Sequence, residues 1–308
     1  MLPVLRQVIW AAIVLALVAG ACGGTAAPTP TPSAVKPTGA AAGLLVTSSD
    51  LAVGPERFTA AIFDDNQRPI AGAEVRLRFF KLGSEGPAVL RSEVEAPFRV
   101  EGLEKEGLQD RGVYAARVTF DAPGAWGVEA VVRRPQRPEE TVASRFDVKA
   151  RSQTPGIGDP APASRNKTIR DVNSVDELTT ARPADPDLYR FSIAQALGDG
   201  KPFLVVFATP AFCTSRTCGP EVEIIQALRD KYRERMHFIH IELYSNPVGL
   251  LRGGSDRSLR PAVIEWGLPT DPWVFLVDAS GRVFDKFEGF TPAAELEESI
   301  LRMLAGGR

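Results

Sequence analysis

The sequence predicts a multidomain protein in which an all-β half precedes an α/β half. Its 308 residues are enough for about two domains. In residues 43–150, short runs rich in β-branched and aromatic residues alternate with turn residues, which is typical of a β-sandwich. In residues 185–308, apolar strand patterns alternate with helical ones, which is typical of an α/β domain.

The first 22 residues have the pattern of an export signal. Arg6 and the amino terminus precede an uncharged run from Val8 to Ala19, which is shorter than the roughly 20 residues of a membrane-spanning helix. Small residues at positions 19–21 stand directly before Cys22. This arrangement resembles a bacterial lipoprotein signal, which implies that Cys22 carries lipid and anchors the protein on the extracytoplasmic face of the cell membrane. An ordinary cleaved signal peptide or an uncleaved anchor is the alternative.

Cysteine and charge content narrow the classes of partner. The chain has three cysteines, and if Cys22 is lipidated, Cys213 and Cys218 remain, five positions apart. In an oxidising compartment such a pair can form and exchange a disulfide. The chain has 36 basic and 38 acidic residues, a net charge of -2, and no basic stripe interleaved with aromatic residues. This balance disfavours a nucleic-acid partner.

Two stretches are expected to connect the folded parts. Residues 23–42 are mostly Gly, Ala, Pro and Thr with one charge, and they predict a Pro/Ala-rich linker. Residues 151–184 begin with a second Pro/Gly-rich stretch and are expected to be a linker and lead-in to the α/β half.

The all-β half is predicted to be a sandwich. The candidate strands are Arg57–Phe63, Glu74–Phe80, Phe98–Val100, Gly112–Phe120, Gly127–Arg133 and Thr141–Val148. The segments PIAGAEVRLRFF and GVYAARVTFDAPGAWGVEAVV resemble the immunoglobulin-like modules of bacterial surface proteins. The resemblance implies an immunoglobulin-like β-sandwich over residues 43–150, here without a stapling disulfide.

The α/β half is predicted element by element. The expected elements are a helix at Ser192–Leu197, a strand at Pro202–Ala208, a helix at Glu221–Arg235, a strand at Phe238–Leu243, a helix at Ala262–Trp266, strands at Trp273–Val277 and Arg282–Phe287, and a last helix. The continuous apolar run at 202–208 predicts a central strand covered on both faces. Thr291 is the expected N-cap of the last helix, with Pro292 at the first helical position.

A cysteine motif carries the strongest resemblance. In FLVVFATPAFCTSRTCGPEVEIIQALRDKY an apolar strand ends, a loop holds Cys213, and a helix opens near Cys218. In LPTDPWVFLVDASGRVFDKFEGF, Pro272 stands directly before a strand and hairpin. Together they resemble the thioredoxin superfamily over residues 185–308. The resemblance implies a thioredoxin-like fold with a redox-active disulfide, no cofactor, and Pro272 as the cis-proline that shapes a docking groove.

The implied activity is thiol–disulfide exchange with other envelope proteins that carry thiols or disulfides. A thiolate is the nucleophile in such exchange, and a helix N-terminus lowers a thiol pKa. Cys213 is the expected attacking cysteine and Cys218 the resolving one. The opposite order stays open, because Cys218-Gly219-Pro220 also resembles the start of the family's motif. Whether the chain acts as reductant or oxidant stays open too, since potentials differ widely within the superfamily.

The sequence departs from the family at three points. Four residues separate the cysteines where the family has two, and Phe212 replaces the usual Trp before Cys213. Val206 stands where the family carries a buried acid on the central strand. These departures predict weak reductase catalysis. His240 falls where the family commonly carries a lysine, and it is a candidate proton relay. A histidine packed in or beside the sheet is the alternative.

Three other functions are alternatives to thiol–disulfide exchange. A copper chaperone needs soft ligands, but no histidine or methionine lies between Tyr244 and Met303, where a distal ligand is expected, so no metal site is predicted. A peroxiredoxin-like peroxidase is suggested by ATPAFCT, although the cysteine spacing differs from that family. A non-enzymatic envelope scaffold or binding protein with a structural disulfide is the main alternative.

Overall fold

The computed structural model describes residues 40–83 and 86–306. The predicted signal, Cys22 and nearly all of the linker at 23–42 lie outside the described residues. Within the described ranges, none of the helices has both the length and the apolar character that a membrane crossing requires.

Residues 41–148 form eight strands in two four-stranded sheets. The strands are β1 (Ala41–Val46), β2 (Gly54–Asp64), β3 (Glu74–Lys81), β4 (Val89–Glu95), β5 (Phe98–Arg99), β6 (Val113–Phe120), β7 (Gly124–Arg133) and β8 (Glu140–Val148). One sheet has the order β1-β2-β6-β5 and the other β4-β3-β7-β8, with every neighbouring pair antiparallel. The all-β class predicted for this half is confirmed.

β1 and β4 are absent from the predicted strands. β4 exposes nearly all of its residues, so its sequence lacks the apolar alternation of a half-buried strand. β1 begins within the Ala/Gly-rich stretch at 40–43, whose composition favours a linker. It is held as a strand by its backbone pairing with β2.

β2 is buried on both of its faces. Phe58, Ala60 and Ile62 point into the core shared by the two sheets. Arg57 and Thr59, on the opposite face, are also buried, because the α/β half packs against this side of the sheet. The sandwich therefore has one face committed to the second half of the molecule.

The α/β half has the thioredoxin-like arrangement that the resemblance implies. Its elements are α1 (Ile193–Asp199), β9 (Phe203–Phe207), α2 (Cys218–Tyr232), β10 (His237–Ile241), α3 (Pro247–Leu251), α4 (Pro261–Glu265), β11 (Trp273–Val277), β12 (Val283–Glu288) and α5 (Ala293–Leu304). The sheet order is β10-β9-β11-β12, with β9 and β10 parallel and the other pairs antiparallel.

β9 is the central strand, covered on both faces as its apolar run predicts. Leu204 and Val206 face a core built with α2 and α5. Phe203, Val205 and Phe207 face a second core built with α1 and α4. All five residues are completely buried. The loop that carries Cys213 therefore starts from a closely packed, rigid strand.

Two helix starts differ from the predicted ones. α2 begins at Cys218 rather than Glu221, because Pro220 is tolerated in the first turn of a helix. The last helix begins at Ala293 with Pro292 as its N-cap, so Thr291 is not the cap. The Thr291 N–H instead donates to the Glu221 carboxylate at 2.9 Å.

Residues 151–184 are more than the linker that composition predicts. They are largely irregular in backbone, yet Ala161 packs in the core with α1 and α4. Leu178 and Ala181 pack in the core with α2 and α5. Pro160 also pairs with Arg282 beside β12. The lead-in is therefore a packed part of the α/β half.

Two arginines, the buried Arg57 and the exposed Arg117, join the halves. Arg57 of β2 binds both carboxylate oxygens of Glu295, at 2.8 and 2.9 Å, and donates to the backbone oxygens of Glu288 and Phe290. Arg117 of β6 binds both carboxylate oxygens of Asp285 at 2.7 and 2.9 Å. Paired two-point contacts of this kind fix orientation as well as distance.

Candidate functional site

Cys213 and Cys218 are joined in a disulfide at the start of α2. Cys213 lies in the loop after β9, Cys218 is the first residue of the helix, and their Cα atoms are 6.0 Å apart. Cys213 keeps 9% of its surface exposed and Cys218 none. A partner from solution therefore meets the sulfur of Cys213 first, which favours the expected order of attack and resolution.

The four residues between the cysteines fold back onto Cys213. The Ser215 hydroxyl lies 3.1 Å from Cys213 Sγ and 2.8 Å from the Thr217 hydroxyl. The Arg216 N–H donates to the Cys213 carbonyl at 3.2 Å, while the Arg216 side chain is exposed. A hydroxyl that donates to a sulfur favours its thiolate form. The longer loop thus gives Cys213 a hydrogen-bond donor.

The predicted cis-proline loop lies against the other cysteine. The Asp271–Pro272 peptide is cis, and the Pro272 carbonyl accepts from the Gly289 N–H at 2.9 Å. The Asp271 carboxyl oxygen Oδ2 lies 3.1 Å from Cys218 Sγ. Pro272 therefore lies beside the disulfide, as its place before β11 predicts, and the residue before it, Asp271, contacts Cys218.

Asp271 is the site residue that the sequence reasoning missed. Its side chain is partly buried, and its pKa is raised by burial and by the negative charge of Glu242. Val206 is buried in an apolar core, so the central strand supplies no acid, as the sequence indicates. The signal was present, because Asp271 directly precedes a proline that was expected to lie beside the cysteines.

A buried glutamate lies behind the Cys213 loop. Glu242 follows β10 and accepts hydrogen bonds from the Thr180 N–H at 2.8 Å and the Thr180 hydroxyl at 2.7 Å. The same hydroxyl accepts from the Ala211 N–H at 3.1 Å. Burial raises the pKa of Glu242. These contacts tie the lead-in to the loop that carries Cys213.

A second buried glutamate lies one helical turn beyond Cys218. Glu221 is fully buried, and its Oε2 accepts from the Thr291 N–H, while its Oε1 has no partner among the described residues. Burial raises its pKa to about 8, so the carboxyl is mainly protonated at neutral pH. Arg57 and Glu295 are the charged groups that act on it from the junction of the halves.

His240 is engaged away from the cysteines. Its Nδ1 lies 2.6 Å from the Tyr189 hydroxyl, and its Nε2 lies 3.0 Å from the Ala208 carbonyl. The carbonyl can only accept, so Nε2 carries the hydrogen and Nδ1 accepts from Tyr189. Burial lowers the pKa of His240 to about 4. This geometry favours the packed strand histidine over the proton relay.

The donor set for a metal ion is limited in this oxidation state. The cysteine sulfurs and an Asp271 oxygen lie within 4.8 Å of one another, but the sulfurs are bonded to each other and are not thiolates. The two histidines are engaged elsewhere, with His237 Nε2 2.7 Å from an Asp199 oxygen. The disulfide form therefore offers no soft ligand pair.

The site opens onto a cleft between the two halves. The cleft has a volume of about 530 Å³. Its α/β wall includes Ser215, Thr217 and Asp271. Its opposite wall is formed by residues of β1 and β2, including Leu45 and Ala61. A partner that approaches the disulfide from this side meets the sandwich as well.

Comparison with protein-family models finds no match, and comparison with curated proteins finds none either. Solved structures do show similarity. One described as a thiol:disulfide interchange protein DsbE from Chlorobium tepidum has 17% identity and a TM-score of 0.33, over 49% of this chain and 99% of that chain. A thioredoxin-family thiol:disulfide interchange protein from Chlorobium tepidum TLS has 19% identity and a TM-score of 0.33, over 48% and 98%. A thioredoxin-like protein in its oxidised form has 12% identity and a TM-score of 0.30, over 49% and 97%.

Proposed function

We propose that this chain is a membrane-tethered, extracytoplasmic thiol–disulfide oxidoreductase that acts through Cys213 and Cys218. One observation carries the proposal: the disulfide lies at the start of α2 in a thioredoxin-like domain, with the cis-Pro272 loop against it. A disulfide in that place has an attacking cysteine that keeps some exposure and a helix N-terminus to stabilise a thiolate.

In the proposed reaction Cys213 attacks and Cys218 resolves. The Cys213 thiolate attacks a sulfur of a partner disulfide and forms a mixed disulfide, and Cys218 then attacks Cys213 and releases the partner as a thiol. The greater exposure of Cys213 supports this order. Pro272 would shape the groove in which the partner backbone docks. The reverse reaction oxidises a partner dithiol.

The location and the partners are part of the same proposal. Lipidation of Cys22 and the linker at 23–42 would tether the folded part outside the membrane. The partners would be other envelope proteins with thiols or disulfides. We also assign the all-β half to the immunoglobulin-like class. Its sheet orders, β1-β2-β6-β5 and β4-β3-β7-β8, correspond to A-B-E-D and C′-C-F-G in such sandwiches.

A redox titration tests the activity. The full chain in detergent is equilibrated in glutathione buffers, and alkylation followed by mass measurement gives the fraction of Cys213–Cys218 disulfide. A midpoint between roughly -120 and -270 mV is expected for an exchange protein. Cys213→Ser and Cys218→Ser chains, which cannot form the bond, are the controls. A midpoint below about -300 mV would contradict exchange.

One second candidate has structural support, namely a scaffold with a structural disulfide. Both sulfurs are largely buried, and the sandwich is fixed to the α/β half by the ion pairs of Arg57 and Arg117. A stabilising bond in a rigid two-part binding protein would also have these features. The same titration decides between the candidates, because structural disulfides resist reduction by glutathione.

A further inference from the structure

Cys218 cannot exchange protons freely with water. Its side chain is completely buried, yet any disulfide exchange requires its sulfur to lose or gain a proton. The Asp271 carboxyl is the ionisable group in contact with that sulfur, at 3.1 Å. Asp271 also lines the cleft between the halves. It therefore touches the buried sulfur on one side and solvent on the other.

Resting on the proposed exchange activity, we propose that Asp271 is a catalytic residue that removes the thiol proton of Cys218 during resolution and returns it when the disulfide is reduced. The family's acid would stand on the central strand, where this chain has Val206. Here the acid reaches the sulfur from the loop before β11 instead.

The resolving step balances as follows. The Asp271 carboxylate takes the proton of the Cys218 thiol, and the Cys218 sulfur attacks Cys213 Sγ of the mixed disulfide. The Cys213–Cys218 bond forms, the bond between Cys213 and the partner sulfur breaks, and the partner leaves as a thiolate. Two electrons pass from the two cysteines of the chain to the partner disulfide, and Asp271 ends protonated.

The reverse step uses the same proton. A partner thiolate attacks Cys213 Sγ, the bond to Cys218 breaks, and the Cys218 sulfur leaves with the electron pair. The protonated Asp271 carboxyl donates its proton to that sulfur. The oxidised structure shows the starting arrangement, with the carboxyl oxygen already beside the sulfur that will leave. No other co-reactant is needed.

The surroundings of Asp271 raise its pKa and so favour its protonated form. Burial and the negative charge of Glu242 raise the pKa of Asp271, which brings it closer to that of a thiol. Glu288 on β12, and Asp110 and Arg111 on the sandwich wall, line the same cleft. Arg260 is a cation near Glu242, and burial lowers its pKa although the negative charge of Glu242 opposes that effect.

Among the described residues, the other acids and bases near the disulfide hydrogen-bond to groups other than the cysteine sulfurs. Glu242 accepts hydrogen bonds from Thr180, and Glu221 accepts from Thr291. The His240 ring is bonded to Tyr189 and to Ala208. Asp271 is thus the group whose contact with the sulfur and access to solvent together fit proton transfer with Cys218.

Rapid-mixing kinetics test the role. Reduced full chain in detergent is mixed with glutathione disulfide, samples are quenched with acid, and mass measurement separates the mixed disulfide at Cys213 from the resolved product. Asp271→Asn is expected to leave formation of the mixed disulfide unchanged and to slow resolution by about 10²-fold. Asp271→Glu should restore part of the rate. Asp121→Asn, a matched change at an exposed carboxyl of the sandwich outside the cleft, should resolve at the wild-type rate.

A purely electrostatic role predicts the opposite result. Removing the negative charge of Asp271 favours the Cys218 thiolate, so resolution would become faster in Asp271→Asn. A rate equal to or above that of wild type across a range from about one unit below to about two units above neutrality overturns the proposal.

A thiol titration separates this proposal from the exchange activity. In a Cys22→Ser, Cys213→Ser background, thiolate absorbance follows Cys218 alone, since the chain has three cysteines. Asp271→Asn should lower the pKa of Cys218 by roughly one unit or more, while Asp121→Asn leaves it in place. An unchanged Cys218 titration overturns the Asp271 proposal even if the chain exchanges disulfides. A shifted titration in a chain that forms no mixed disulfide overturns the exchange activity instead.

Discussion

The two sulfurs of one disulfide have opposite surroundings. Cys213 keeps some exposure and has the Ser215 hydroxyl at 3.1 Å, so a proton donor faces it. Cys218 is completely buried and has the Asp271 carboxyl at 3.1 Å, so an acid–base group faces it. The first environment favours a standing thiolate, and the second favours a thiol that loses its proton only when it reacts.

This difference shows how a longer loop between the cysteines can still give them separate roles, one attacking and one resolving. Four residues between the cysteines move Cys213 out of the first helical turn, where the helix dipole acts most strongly. Ser215, a residue of the inserted loop, supplies a local donor in its place. Cys218 remains at the first position of α2, where the Asp271 carboxyl contacts its sulfur from the loop before β11.

The largest expected effect comes from removing each sulfur in turn. With glutathione disulfide, Cys218→Ser should accumulate a stable mixed disulfide at Cys213, because nothing resolves it. Cys213→Ser should form little, because Cys218 is buried. Mass measurement of the adducts checks both. If Cys213→Ser traps the adduct and Cys218→Ser does not, the roles of the two sulfurs are reversed.

A second large effect is expected at the ion pair between Arg57 and Glu295, which joins the two halves. Arg57 and Glu295 form a buried two-point ion pair, with side chains 2% and 10% exposed. Arg57→Met would leave the buried Glu295 carboxylate with only the longer ion pair to Arg99, at 3.7 Å, at a cost of up to about 3–5 kcal/mol of folding free energy. Denaturant unfolding measures it. Arg91→Met, which breaks an ion pair whose side chains are 44% and 53% exposed, should cost no more than about 1 kcal/mol.

The order of helices and strands could be predicted from the sequence more completely than the contacts within the site. The apolar run of β9, the turn-rich all-β half and the order of helices and strands were visible because they reflect burial, which leaves a periodic pattern in sequence. The cysteine pair and Pro272 were visible because each is rare and lies at a fixed place in a known element order. β4 left no such pattern, since its residues are nearly all exposed.

What could not be predicted were contacts between distant parts of the chain. Asp271 is 53 positions from Cys218, and nothing in either segment alone pairs them. Glu221 looked like part of the cysteine motif, but its carboxyl turns to Thr291, 70 positions away. The packing of residues 151–184 was hidden by their Pro/Gly composition, which is the same in a linker and in an irregular packed segment.

The pH dependence of stability should be dominated by the buried side of the site. The pKa of Glu221 is raised from 4.5 to about 8, so the folded state holds a proton that the unfolded state releases. Its stabilising contribution is complete below about pH 4.5 and is lost as the pH rises towards 8. His240 opposes this decline up to about pH 6.5, because burial lowers its pKa from 6.5 to about 4. The free energy of unfolding should therefore fall by up to about 1.4 kcal/mol per pH unit chiefly between about pH 6.5 and 8.

Unfolding measured across that pH range tests the assignment to Glu221. Glu221→Gln keeps a neutral side chain of similar size, so it should flatten the decline between about pH 6.5 and 8. Glu223→Gln changes an exposed carboxyl two positions along the same helix and should leave the decline as in wild type. A decline that persists in Glu221→Gln would place the titrating group elsewhere.

The smallest expected effect tests the donor on the exposed side. Ser215→Ala removes the hydroxyl beside Cys213, and one hydrogen bond contributes about 0.5–1.5 kcal/mol, so the pKa of the Cys213 thiol should rise by up to about one unit. The pH profile of alkylation in a Cys218→Ser background measures it. Thr214→Ala, an exposed hydroxyl in the same loop, is the control. If both variants titrate like their parent, the asymmetry between the sulfurs comes from Asp271 and burial alone, since no donor would then favour the Cys213 thiolate.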